Sequence, residues 1–238
     1  RFFTNLSHEI RTPLSLILSP LETIIAQTKN VTINNNLLLI QKNAIRINRL
    51  INRGIDFRKT QFKEPNIRVE RADIVAFLKE LAGSFSGYSM SKNIRLQFSS
   101  NVDDLFIWFD KYMVETIFYN LLSNAFKYSE DHSKIIFDIN KQNDQVVMKV
   151  QDFGQGIYEE DLPNIFKRFY QSKTHIGGSG IGLALTKRFV DAHKGTITVK
   201  NSPENGSVFE VIFRLGNTHF EINDLIETQE KLKLNILN

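Results

Sequence analysis

Residues 120–128 read NLLSNAFKY and lie inside a segment, 111–128, that we predict to be a helix. Asn120, Asn124 and Lys127 recur at i, i+4 and i+7, so they share one face of that helix. Two amide oxygens and one ammonium group on a single face suit a magnesium ion that carries phosphates, because hard cations take oxygen ligands. Taken alone, the same spacing is more typical of a polar face in contact with solvent.

Two glycine-bearing motifs follow this helix along the chain. The first, DFGQG at residues 152–156, comes after a predicted strand. Its aspartate can accept a hydrogen bond from an amine such as adenine N6, and its glycines let the backbone come close to a ligand. The second, GGSGIGL at 177–183, opens a predicted helix, whose bare amides can bind phosphate. The residues between them, with Phe166, Arg168 and Phe169, have the length and position of a mobile lid over a nucleotide.

Both motifs have competing interpretations. DFG at 152–154 matches the magnesium-binding tripeptide of protein kinases, but neither an H-R-D loop upstream nor a lysine in a V-A-I-K setting is present. The second motif is not the dinucleotide fingerprint, because Leu183 stands where the third glycine would fall, and it lacks the lysine of a P-loop. An ordinary turn and an ordinary helix start are the alternatives when each motif is taken alone.

A histidine near the N-terminus supplies the next feature. In HEIRTP at residues 8–13, His8 stands two positions from the apolar Leu6 and Ile10. On a helix it therefore projects about 200° away from them, toward solvent. Pro13 cannot donate its helical hydrogen bond and its ring crowds the preceding turn, which predicts a kink beside His8. Such an imidazole can approach a bound ligand; the alternative is an ordinary surface histidine.

The chain has a helical part and a mixed part. Residues 2–28 and 36–62 repeat apolar residues at near-heptad spacing and predict two helices joined by a polar turn. Two helices cannot bury their apolar rows alone, whereas two hairpins in a four-helix bundle would bury them. Pro65 ends the second helix. Beyond it we predict a sheet covered on one face by helices, with helices at 73–85, 111–128 and 183–192 and strands at 94–98, 105–109, 134–140, 146–152, 196–200 and 208–215.

The composition is that of a globular protein with an uneven charge. Hydrophobic residues make up 42% of the chain and charged residues 24%, and there are no cysteines. No apolar run is long enough to span a bilayer, and the chain begins with Arg1, so we expect a fragment with any membrane segment upstream. The net charge of +4 is concentrated in residues 1–62 without any nucleic-acid-binding motif, which favours a local acidic partner over nucleic acid.

In this order, the motifs resemble those of the two-component sensor histidine kinases. That family has the phosphoacceptor H-E-x-x-T-P box, the N box, the D-x-G-x-G box, the F-x-R-F stretch and the G-x-G-I-G-L box, and the resemblance runs from Phe2 to Leu215. The opening FFTNLSHEIRTPL and the D-F-R-K at 56–59 are most similar to the hybrid sensor kinases of Bacteroides-type bacteria, in which a receiver domain follows. Gly54 departs from that group, which usually has a larger residue there.

The resemblance implies a fold and a site. We expect an α+β chain: a dimerising helical hairpin for histidine phosphotransfer over 1–64, an α/β sandwich ATP-binding domain of the gyrase, Hsp90 and histidine kinase type over 65–216, and a linker over 217–238. It implies ATP and Mg²⁺, with the metal on the two asparagines of the helix. The residues expected to act in catalysis are His8, Glu9, Thr12 and Arg168, and those expected to bind the nucleotide are Asn120, Asn124, Lys127, Tyr128, Asp152, Gly154, Gly156, Gly180, Gly182 and Leu183.

The implied activity is autophosphorylation of His8, followed by transfer to a receiver-domain aspartate in the same polypeptide. Glu9 and Thr12 also match the pattern by which relatives hydrolyse the phosphorylated receiver. The implied partners are a second copy of the chain and that receiver, and the implied location is the cytoplasmic portion of an inner-membrane-anchored sensor. Two alternatives are open: a structural ATPase of the gyrase and Hsp90 superfamily, and a degenerate kinase that acts as a scaffold or only as a phosphatase.

Overall fold

The fold is described from a computed structural model of the chain, over residues 65–171 and 180–226 and at isolated positions between Ile17 and Ile40. The chain divides into two compact units, residues 1–63 and 64–238. No helix within the described residues is both long and apolar enough to cross a membrane.

In the first unit the described positions are helical: Ile17, Leu21, Ile24, Ile33, Leu37 and Ile40. Leu21 is buried, with 7% of its surface exposed, whereas Ile17 and Ile24 are 47% and 46% exposed. Ile33 falls inside the turn predicted over residues 28–36 but is helical, so the prediction is wrong at this position. Residues 28–36 contain no glycine or proline that would end a helix early. His8, Glu9 and Thr12 lie outside the described residues.

The second unit is a mixed α/β structure, and the predicted fold class is confirmed. Its elements are β1 (Glu70–Asp73), α1 (Ile74–Gly83), α2 (Ser86–Lys92), β2 (Arg95–Ser100), β3 (Phe106–Phe109), α3 (Lys111–Tyr128), β4 (Lys134–Gln142), β5 (Gln145–Asp152), α4 (Gly182–Ala192), β6 (Thr196–Asn201), β7 (Ser207–Arg214) and a 3₁₀ turn (Ile222–Asp224). The larger sheet has the strand order β2-β4-β5-β7-β6. In it β2 is parallel to β4 and the other pairs are antiparallel, while β1 and β3 form a separate antiparallel pair.

One face of the larger sheet carries the core. Along β4, Ile135, Phe137 and Ile139 are buried and alternate with partly exposed residues, as in a strand with one covered face. The Phe118 ring of α3 stacks on Phe137 with 5.3 Å between ring centroids, so α3 lies against this face. Because this side of α3 packs on the sheet, a binding site on α3 must use another side of the helix.

A hydrogen-bonded junction joins the start of α3 to the end of α4. Asp110 begins α3 by accepting from the Met113 amide at 3.0 Å, and its second carboxylate oxygen accepts from the Arg68 amide at 2.9 Å. The Asp110 amide donates to Nε2 of His193 at 3.1 Å. His193 is buried and stacked on Phe213, and burial lowers the pKa of His193 to about 4. At neutral pH the ring is therefore an uncharged acceptor.

The residues after β7 pack on the second unit as far as they are described. Phe220 and Leu225 are partly buried against its core, and Leu225 forms an isolated parallel bridge with Val69. The first part of the predicted linker, residues 217–226, thus lies against the domain that precedes it.

Candidate nucleotide-binding site

Asn120 lies where α3 meets the start of α4. Its side chain is almost fully buried, and its amide group donates to the Gly182 carbonyl at 3.1 Å and to the Thr186 hydroxyl at 3.3 Å. Within the described residues, the Oδ1 atom of Asn120 accepts no hydrogen bond. Buried acceptors in native proteins rarely lack a partner, and such a gap commonly marks a ligand, ion or water site. The N box and the G-x-G-I-G-L box, distant in sequence, therefore meet at this amide.

The rest of the helix face becomes more exposed toward its C-terminal end. Asn124 is half-buried one turn beyond Asn120, and Lys127 is exposed. The Lys127 ammonium donates to the Tyr128 hydroxyl at 3.0 Å and lies 4.6 Å from the centroid of that ring. The helix face thus runs from the buried amide of Asn120 to the exposed ammonium group of Lys127. A ligand with one buried end and one exposed end would fit this arrangement.

Asp152 ends β5 with its carboxylate buried. One of its oxygens accepts from the Gly154 amide at 3.0 Å and from the Ser207 amide at 3.3 Å, and the other accepts from the Ser207 hydroxyl at 2.5 Å. Sequence reasoning missed Ser207. It reaches Asp152 because β5 and β7 are paired with Gln151 opposite Val208. A carboxylate has about four acceptor positions, so three bonds leave room for one further donor.

The glycines of the DFGQG motif are required by the protein itself. A Cβ atom on Gly154 would lie 2.1 Å from the Tyr128 carbonyl oxygen, because Gly154 bridges to Ser129 at the end of α3. Gly156 has a φ of +75°, and a Cβ there would lie 3.0 Å from the Asn201 side chain. The contacts therefore give both glycines a structural reason, and their expected role beside a ligand stays a prediction. At Gly154 the close neighbour is the backbone of α3, which ties the two motifs together.

Two residues that sequence reasoning did not assign to the site hold this loop from the β6–β7 side. A Cβ on Gly206 would lie 2.0 Å from the Asp152 carbonyl oxygen, so the turn before β7 presses on the loop. Asn201 accepts from the Ile157 amide at 2.8 Å and donates to the Ile157 carbonyl at 2.6 Å. The only sequence signal was the turn residues PENG at 203–206, which indicate a hairpin but not what it touches.

The F-x-R-F stretch and the second glycine motif are joined. The Phe169 amide donates to the Gly180 carbonyl at 2.9 Å, and a Cβ on Gly180 would lie 2.7 Å from the Phe169 Cα. Both residues have positive φ, +59° and +63°. Tyr170 donates to a buried carboxylate oxygen of Asp161 at 2.5 Å, which raises the pKa of Tyr170. Arg168 is exposed in the same stretch. The residues on either side of the segment 170–179, Phe169 and Gly180, are thus joined to each other by a backbone hydrogen bond.

Leu183 follows Gly182 and packs against the core, so its place in the motif is structural as well. The structure brings Asn120 to Gly182, Tyr128 to Gly154, and Asp152 to Ser207.

Magnesium would fit this site. Among the described residues, no group of three or more histidine, cysteine or carboxylate side chains could hold a metal. The orphaned Oδ1 of Asn120 is a hard oxygen ligand, and Mg²⁺ is commonly bound through one or two protein groups together with substrate phosphates.

Comparison with known proteins places this fold and site in a class of ATPases. Residues 110–217 match the family described as histidine kinase-, DNA gyrase B- and HSP90-like ATPase, and residues 1–61 match the His kinase A (phospho-acceptor) domain. The chain therefore carries the two domains of a two-component histidine kinase catalytic core.

Individual relatives agree with this family. The chain is 37% identical over 234 residues to histidine kinase P4 of Formosa agariphila, covering 95% of this chain and 17% of the relative, and 34% identical over 217 residues to the sensor histidine kinase TmoS of Ectopseudomonas mendocina, covering 88% and 22%. It thus spans less than a quarter of the length of either protein.

Solved structures share the fold. Full-length ShkA in complex with AMPPNP aligns with a TM-score of 0.68 at 22% identity, over 90% of this chain and 46% of that one. The nucleotide-free catalytic domain of histidine kinase ThkA aligns with a TM-score of 0.58 at 25% identity, over 63% and 97%.

Proposed function

We propose that this chain binds ATP with Mg²⁺ and transfers the γ-phosphoryl group to its own His8. The observation that carries the proposal is the buried Oδ1 atom of Asn120, which has no partner among the described residues and lies beside the first residue of α4. The N-terminal segment of the same chain matches a phospho-acceptor family. An ATPase domain alone would not need an acceptor domain in the same chain, which argues against a purely structural ATPase.

We assign different parts of the nucleotide to different described residues. Asp152 has one acceptor position left for the adenine amine, and Tyr128, 36% exposed beside the loop, lines the same end. Asn120 and Asn124 offer amide oxygens to magnesium, which neutralises phosphate charge when bound. Lys127 and Arg168 are cations that stabilise the phosphates.

The transfer itself is assigned to residues outside the described part. The unprotonated ring nitrogen of His8 attacks the γ-phosphorus, a nitrogen–phosphorus bond forms, and the bond from that phosphorus to the bridging oxygen of ADP breaks. Glu9 accepts the ring proton or orients the ring. Most of the acceleration in phosphoryl transfer comes from positioning and charge neutralisation, so a fixed nucleotide site is the main requirement on the second unit.

The wider assignments are proposals of the same kind. We assign residues 1–64 to a dimerising phosphotransfer hairpin, 65–216 to the ATP-binding domain and 217–238 to a linker. The half-exposed Ile17 and Ile24 support dimerisation, because a second hairpin would cover them. The phosphoryl group then passes to a receiver-domain aspartate, which in a hybrid kinase of Bacteroides type follows in the same polypeptide. Thr12 serves hydrolysis of the phosphorylated receiver, and a membrane anchor would lie outside this chain.

The test is incorporation of label from γ-labelled ATP. His8→Gln is expected to bind ATP with unchanged affinity and to take up no acid-labile label. His132→Gln, at an exposed position of the second unit, is the matched control and should label like the unmodified chain. Acid-labile label that persists in His8→Gln would show that another residue is the acceptor.

A further inference from the structure

The entry segment, residues 65–69, leads from the first unit into the second and is held from two sides. The Arg68 amide donates to Asp110 at 2.9 Å, within the domain. The next amide, that of Val69, donates instead to the Asp224 carbonyl at 2.8 Å, and the Val69 carbonyl accepts from the Ile226 amide at 3.1 Å. Val69 is fully buried, so the segment after β7 supplies partners for both of its backbone groups.

The segment after β7 has anchors of its own. The Phe220 ring meets the buried His193 ring edge-on at 6.3 Å between centroids. Glu221 and Asp224 form a reciprocal capping box around the 3₁₀ turn, with the Glu221 amide donating to the Asp224 carboxylate at 3.0 Å. The turn places the Asp224 carbonyl where it accepts a hydrogen bond from the Val69 amide. These contacts are specific and local, unlike those of a flexible connector.

We propose that residues 217–226 form a strap that positions the entry segment, residues 65–69, and that this position sets the rate of His8 phosphorylation. The second part rests on the proposed function. The physical reason is that the entry segment carries the covalent connection from the first unit into the second. Without the strap, a buried N–H and C=O of Val69 would lack partners, and the entry segment would rearrange to hydrate them.

The strap acts at a distance from the nucleotide. It meets the junction of Asp110 and His193, at the start of α3, whereas Asn124 and Lys127 lie near the other end of the same helix. Loosening the strap is therefore expected to change the phosphorylation rate at saturating ATP and to leave nucleotide affinity within about twofold, since distant sites without shared partners act nearly independently.

The experiment uses the full chain with Phe220→Ala and Leu225→Ala combined. Ile222→Ala is the matched control, because Ile222 belongs to the same segment but is 69% exposed. Hydrogen–deuterium exchange of the Val69 amide should be roughly tenfold faster in the double variant, because protection follows the local opening equilibrium, and unchanged in the control. Met148, in the centre of the sheet, reports whether the fold as a whole has loosened.

Autophosphorylation at saturating ATP should fall about fivefold in the double variant only. Unchanged exchange at Val69 in that variant would overturn the strap itself. Faster exchange at Val69 with an unchanged phosphorylation rate would overturn its positioning role. If the unmodified chain does not phosphorylate His8, the proposed function fails, and the exchange measurement still reports separately on the strap.

Discussion

The two ends of the nucleotide site are built in opposite ways. At the Asp152 end, the carboxylate is satisfied by Gly154 and Ser207, and the glycines face other parts of the protein at contact distance. At the Asn120 end, the buried Oδ1 atom has no partner within the described residues, and Asn124 is only half-buried. Folding therefore satisfies most of the acceptor positions of Asp152, whereas the Oδ1 atom of Asn120 is left for the ligand. Changes at the first end should reduce stability most, and changes at the second should mainly reduce binding.

The largest effect on stability is expected for Gly154→Ala. The added methyl group would lie 2.1 Å from the Tyr128 carbonyl oxygen, and backbone on both sides must move. We expect a loss of more than about 3 kcal/mol in the free energy of unfolding, measured by denaturant titration. Gly83→Ala, at a helical glycine with nothing within 4 Å, is the control and should change stability by at most about 1 kcal/mol. Equal effects of the two changes would mean that the loop is not clamped.

The junction at His193 gives a pH-dependent stability that has nothing to do with the ligand. Its pKa is about 4 in the folded protein and about 6.5 unfolded, so the unfolded chain takes up a proton first. The contribution of the neutral, buried His193 to the free energy of unfolding is fully present above pH 6.5 and is lost as the pH falls toward 4. The free energy of unfolding should fall by about 3 kcal/mol over this range.

This prediction is checked by comparing the pH dependence of stability in the unmodified chain with that of a variant that lacks the ionisable ring. His193→Phe keeps an aromatic ring against Phe213 but cannot accept from Asp110. The variant should be less stable at pH 7 and should show a correspondingly flatter decline between pH 6.5 and 4. Parallel pH curves for the two proteins would contradict a neutral buried histidine.

A smaller effect is expected for Ser207→Ala, which removes the hydroxyl that donates to Asp152. Stability should fall by about 2 kcal/mol, because a hydrogen bond to a buried charged group is lost. Adenine nucleotide affinity should fall roughly tenfold as the carboxylate loses its fixed orientation. Ser207→Thr keeps the hydroxyl and should restore most of both quantities. Failure of threonine to do so would mean that shape, not the hydrogen bond, is what Ser207 contributes.

The smallest effect on stability, with a large effect on binding, is expected at Asn124. Asn124→Ala should change the free energy of unfolding by less than about 0.5 kcal/mol, because the helix keeps its packed face. Calorimetry should show magnesium-dependent ATP affinity reduced tenfold or more. Ser123→Ala, on the same helix, is the control and should leave the affinity unchanged. A stability loss without a binding loss would reverse the contrast between the two ends.

Elements with strong local signals could be predicted from the sequence. The structure confirms α3 at the predicted bounds, since its cap, its apolar face and its end are all encoded within 110–129. By contrast β1, with the sequence ERAD, was missed because no apolar alternation marks it; it is a strand because β3 lies beside it. The site divides in the same way. Motif residues could be identified, whereas Ser207 and Gly206 depend on the pairing of β5 with β7, which no local pattern encodes.

That pairing also has a consequence for how the domain tolerates change. When β5 and β7 pair, residues 152–207 become a closed loop that contains the segment between the two glycine motifs, α4 and β6. The entropy of closing a flexible loop rises only with the logarithm of its length, about 0.6 kcal/mol for each doubling. Residues added between Tyr170 and Gly180 would therefore alter the closure entropy very little, while the Phe169–Gly180 hydrogen bond keeps the two ends together. The number of residues between Tyr170 and Gly180 can therefore vary in this fold at almost no thermodynamic penalty.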